Sequence, residues 1–186
     1  MTTKILFWIF TDLFYFGMAK FFQNPENQIS AIFDITNGQK EFLKNQKIVK
    51  FSNEWYYHDY IKKNINVDLN YLKSFEKKYD VNLWLLVSNE RIFFEFNYFY
   101  KFSKNEILSI LEQECKLFEK ILDTTTFDYL IMPAPNFHHD YLFYKMCKIK
   151  KIMLYFLDQH KHEFEFLVHE HTKKFNSTKK TVKEKQ

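Results

Sequence analysis

The residues able to do chemistry are few and scattered. Asp12 follows an apolar run, Lys4–Phe10, where a carboxylate can take a proton from a hydroxyl or cap the next helix. Asp34 ends a second run, where an acid can hold a ribose or form a turn. Asn89 and Arg91 follow a third apolar stretch. Arg91 is the only arginine among 27 basic residues, so a guanidinium fork for a carboxylate or phosphate is one reading. An ion pair with Glu90 or Glu95 is the other. His138 and His139 follow Pro133-Ala134-Pro135 and open a helical pattern. A helix start offers N–H groups to anions, and an imidazole there can act as acid or base near neutral pH. The alternative is a surface or partly buried histidine. Asp12 and His138 are therefore the candidate catalytic residues. Asp34, Asn89, Arg91 and His139 are the candidates for holding substrate.

Two further pairs, His160-Lys161-His162 and His169-Glu170-His171, place imidazoles two residues apart, a spacing that suits a metal on one face of a strand. They fall where the apolar pattern ends, so opportunistic affinity without function is expected of them, and no metal site is. Cys115 and Cys147 lie far apart in helical contexts and read as free buried thiols. No cofactor is expected. Gly17 and Gly38 are the only glycines, and neither a P-loop nor a dinucleotide fingerprint can be assembled from them.

The formal charge of +4 gathers in the Lys-rich segment after Thr172, while internal lysines alternate with acids. This argues against a nucleic-acid partner. Asp12 and Lys20 interrupt the apolar start, so neither a signal peptide nor a membrane span is expected. The expected location is the cytoplasm, or the inner face of the membrane as a peripheral protein. The 23 Phe and 12 Tyr give ample core, and the aromatic stretch Phe93–Phe102 reads as core, partner surface or sugar platform.

Apolar runs alternating with amphipathic stretches must position these residues. Strands are expected at Lys4–Phe10, Ile29–Ile35, Ile48–Phe51, Asp128–Met132 and Ile152–Leu157. Helices are expected at Phe14–Phe22, Gln39–Asn45, Asn53–Lys62, Leu69–Tyr79, Ser103–Asp123 and His138–Ile149, with Asn82–Val87 a strand or a buried connector. Ser103 and Glu106 form a capping box. The fold class is α/β: a parallel sheet with helices on both faces in one domain, residues 1–157, followed by a polar, partly disordered tail, 158–186. Ligands of such sheets bind outside the carboxyl ends of the strands. That rule selects Thr11, Asp12, Asp34, Ser52, Ser88 to Arg91, Pro133 to His139, and Asp158.

Several stretches also carry a resemblance: Lys4-Ile5-Leu6-Phe7, Gly17-Met18-Ala19-Lys20, Ala31-Ile32-Phe33-Asp34, Phe42 to Lys47, Asn82-Leu83-Trp84, Glu90-Arg91, Glu106-Ile107-Leu108, Leu117-Phe118-Glu119 and Phe127 to Ile131. Together they resemble the N-terminal domain of prokaryotic capsular-polysaccharide-type glycosyltransferases, a GT-B architecture of two Rossmann-like halves. The resemblance covers roughly Lys4 to Leu157. It implies an acceptor-side half that binds a sugar acceptor, with the sugar-nucleotide donor held by a second half in a partner domain or chain. Standing alone, such a domain is expected to be incomplete as an enzyme, a truncated or short form. A non-catalytic α/β binding or assembly module is the competing expectation.

Overall fold

A computed structural model describes residues 2–11, 13–63, 66–96, 98–159 and 166–170. Its elements run β1 (Thr3–Ile9), α1 (Phe14–Phe22), β2 (Asn27–Phe33), α2 (Asn37–Asn45), β3 (Asn53–Tyr56), α3 (Tyr57–Tyr60), α4 (Leu69–Tyr79), α5 (Leu83–Ser88), α6 (Arg91–Phe94), α7 (Lys104–Thr124), β4 (Tyr129–Met132), α8 (His138–Ile149), β5 (Met153–Gln159) and β6 (Phe166–Glu170). The sheet order is β3-β2-β1-β4-β5-β6, with the first five strands parallel and β6 antiparallel to β5. This is the expected α/β class, a Rossmann-like sheet covered on both faces. The chain leaves β1 toward β2 and β3, then returns across to β4 on the other side. The strand order therefore reverses between β1 and β4, the place where such sheets open a crevice.

Alternation along the strands divides the interior in two. Ile5, Phe7 and Ile9 of β1 pack with Phe16 and Ala19 of α1, Leu43 of α2 and Phe33 of β2. Leu6 and Trp8 point the other way, into a larger core with Phe75 of α4, Leu111 and Phe118 of α7, and Leu142 and Phe143 of α8. Cys115 and Cys147 are buried in this second core, and burial pushes both thiols up from their ordinary range.

Helix α7 begins as its sequence dictates. The Ser103 hydroxyl accepts from the Glu106 N–H, and the Glu106 carboxylate accepts from the Ser103 N–H at 2.9 Å. Four local readings are corrected. Ile48–Phe51 is not a strand, because the Gln46 side chain claims its backbone. The amide oxygen takes the N–H groups of Ile48 and Val49, and its NH₂ donates to the Val49 carbonyl. Pairing with β2 begins only at Ser52, whose N–H donates to Ile29, so Asn53–Tyr56 is strand where a helix was expected. Ser52 thus sits at the amino end of β3, away from the crevice. Asn82–Val87 becomes helix α5: Asn82 accepts from the Leu85 N–H, and Glu76 of α4 accepts from the Leu83 N–H at 2.8 Å. The sheet also continues past Leu157, since β6 pairs with β5 inside the segment read as tail.

Candidate functional site

Polar side chains converge on the carboxyl ends of β1, β2, β3 and β4. Asp34 follows β2, Tyr57 and His58 open α3 directly after β3, and His138 and His139 open α8 after the β4 loop. Glu114 arrives from the middle of α7, and Glu90 from the turn between α5 and α6. All but His58 are buried, and the Glu114 side chain is fully so.

His138 bridges two carboxylates. Its Nδ1 lies 2.9 Å from Glu90 Oε2 and its Nε2 3.0 Å from Glu114 Oε1. Burial alone would lower this imidazole, but the Glu114 charge and the hydrogen bonds to Glu114 and Glu90 raise it to about 10. Burial would in turn raise the two carboxyls, and the facing His138 holds both below their ordinary range. The Tyr57 hydroxyl donates to the same Glu114 oxygen. Beside this triad, His139 Nε2 lies 2.9 Å from Asp34 Oδ2, and the imidazole stacks on Tyr57 and Phe137. His58 Nε2 lies 3.0 Å from the other Asp34 oxygen. Burial would raise Asp34, but His139 and His58 outweigh it and hold the carboxyl well below its usual range.

The start of α8 is already supplied with anions. Asp140 accepts from the N–H groups of Asn136 and Phe137, and Glu90 accepts from the N–H of His138. The reading of this helix start as an open anion site is corrected accordingly. His138 is bonded through both nitrogens and 6% exposed, so it presents no unengaged ring nitrogen to a substrate. Two buried atoms have no hydrogen-bond partner among the described residues: Glu114 Oε2 and His139 Nδ1.

Of the residues selected from sequence, Asp34, His138 and His139 are brought together. Asn89 and Arg91 stand exposed on either side of buried Glu90, and Arg91 makes no ion pair among the described residues. Glu90 turns inward to His138 rather than to its neighbour. Asp12, His160, His162 and His171 lie outside the described residues. Sequence reading missed Glu114, Tyr57 and His58, and it read Glu90 only as a partner for Arg91. Glu114 carried a signal: Ile107, Leu111, Glu114, Phe118 and Ile121 recur at spacings of four and three, so a carboxylate interrupts an apolar stripe. Burial of such a group requires a partner, and His138 is that partner.

Among the described residues no helix is long and apolar enough to cross a membrane. No protein-family model, curated protein or solved structure matches the chain.

Proposed function

We propose that the chain is a glycosyltransferase-like acceptor-side domain, acting in capsular or surface polysaccharide assembly with a donor-binding partner domain or chain. One observation carries the chemistry: buried Asp34 lies 3.0 Å from His58, whose side chain is 45% exposed. A buried carboxylate that orients a solvent-facing imidazole is the arrangement a general base needs. In the proposed step an acceptor hydroxyl gives its proton to His58 as its oxygen bonds the anomeric carbon. The bond from that carbon to the leaving phosphate breaks, and the phosphate departs with the donor nucleotide. Asn89 and exposed Arg91 are the side chains offered to the sugar or to an acidic group on it. The substrate class rests on the resemblance of Lys4 to Leu157. Saturation-transfer NMR with a panel of neutral and acidic oligosaccharides tests the reading. Binding that broadens the His58 ring signals, and weakens in Arg91→Lys for acidic sugars alone, is expected. Silence of the whole panel at millimolar ligand would overturn it.

A second reading, an assembly module, has its own support. Trp84, Leu85, Ile92, Phe94, Phe96, Tyr98, Phe99 and Tyr100 are all exposed within one stretch. So much apolar surface in one stretch fits a protein interface. Light scattering that shows a concentration-dependent oligomer with no sugar binding would favour this reading over the first.

A further inference from the structure

Three carboxylates, Asp34, Glu90 and Glu114, are buried with two imidazoles, and each imidazole is held by a different carboxylate. Asp34 is acceptor-only when ionised, so its bond to His139 needs a proton on Nε2, and the neutral ring in that tautomer carries its lone pair on Nδ1. That Nδ1 is one of the two partnerless buried atoms, and Glu114 Oε2 is the other. Glu90 likewise fixes a proton on His138 Nδ1, which turns Nε2 toward Glu114. One ligating atom from each of Glu114, His138 and His139 can be chosen so that all lie within 4.8 Å of one another.

We propose that Glu114, His138 and His139 form a binding site for a divalent transition-metal ion of the zinc class, with Glu90 and Asp34 as positioning residues behind the two histidines. Two imidazoles and a carboxylate are the donor set such ions take, and a carboxylate behind each ligating histidine is the usual means of fixing its tautomer. Bonds of about 2.1 Å in tetrahedral geometry separate ligating atoms by roughly 3.4 Å, so the three groups must close by up to roughly 1.4 Å around the ion. On entry the ion takes the lone pair of His139 Nδ1 and replaces the proton between His138 Nε2 and Glu114, and that proton leaves to solvent. The ion's two charges also offset the excess of buried carboxylates. Three protein ligands leave one position for water or a hydroxyl, the pattern of a reactive site. The site does not use His58 but shares Asp34 with it, so His139→Gln, which spares the Asp34–His58 contact, is the variant that separates it from the acceptor role proposed above.

The test is calorimetry of the full chain, stripped with chelator and titrated with zinc. A variant with His160, His162, His169 and His171 changed to Gln removes the adventitious ligands of the C-terminal segment. The expected result is one equivalent bound with sub-micromolar affinity, retained in that variant. His139→Gln should lose at least 100-fold, and Asp34→Asn roughly 10- to 100-fold through misorientation of His139. Cobalt(II) added to the four-histidine variant should give the absorption of a tetrahedral site without thiolate bands, a readout that does not depend on whether the His139 variant folds. Binding confined to the C-terminal histidines, affinity weaker than about 100 µM, or octahedral cobalt spectra would each overturn the proposal.

Discussion

The two faces of the sheet solve the same packing problem with different chemistry. The face under α1 and α2 is hydrocarbon and aromatic: Phe33 stacks on Tyr56 at 4.8 Å and meets Phe51 edge-on at 5.4 Å, and the buried residues of the two helices, Tyr15, Phe16, Ala19 and Leu43, carry no charge. The face under α7 and α8 is also rich in aromatic side chains but admits, along its margin, Glu114, His138 and His139. Hydrocarbon packing is indifferent to pH, whereas a buried ion cluster is stable only while its members keep their charges. The second face therefore gives up some of the robustness that hydrocarbon packing gives the first.

The strongest way to break the contrast is Phe33→Ala. It should cost about 3–5 kcal/mol, through lost transfer energy and the cavity left behind, with the same loss at every pH in urea melts. Glu114→Gln in the metal-free chain should cost ~3 kcal/mol near pH 6, because His138 loses one of its two carboxylates in a dry site. Its cost should depend strongly on pH. Asp34, Glu90 and Glu114 are held below their ordinary values of 3.8, 4.5 and 4.5, so their contribution is present above these values and is lost as pH falls through the lowered ones. His138 is raised from 6.5 to about 10, so its contribution is complete below 6.5 and is lost as pH rises through about 10. Asp140, raised by burial, works in the opposite sense on the acid side. The wild-type urea midpoint should therefore peak between about pH 4.5 and 6.5, and Glu114→Gln should flatten that peak where Phe33→Ala only lowers it.

Smaller effects sharpen the same comparison. Ser103→Ala removes a cap that belongs to neither face and should cost about 1 kcal/mol, measured as a uniform shift in denaturant midpoint. Arg91→Lys should change stability by less than about 0.5 kcal/mol, since the guanidinium is exposed and unpaired among the described residues. A larger loss in thermal melts would mean that Arg91 supports the turn carrying Glu90.

How far sequence could reach follows from the forces at each position. The strands β1, β2, β4 and β5 were legible because both their faces are covered, which leaves a near-continuous apolar run. Helix α7 was legible from its stripe and its cap. The strand β3 was misplaced because one side chain, Gln46, holds the backbone of an apolar tetrapeptide that would otherwise read as strand. The strand β6 was missed because an antiparallel edge strand need not be apolar throughout. At the site, Asp34, His138 and His139 were found by their place at strand ends. His58 was missed because a misread helix moved it away from a strand end. Glu90 was read only against its neighbour Arg91, since nothing in sequence spacing links it to a histidine 48 positions later.

The two thiols add one more asymmetry. Both Cys115 and Cys147 belong to the face that carries the charged cluster, and the hydrocarbon face has none. Alkylating reagents therefore act as a clock on one side of the sheet alone. Labelling under native conditions times how often α7 and α8 lift from the strands, while excursions of α1 and α2 leave no mark.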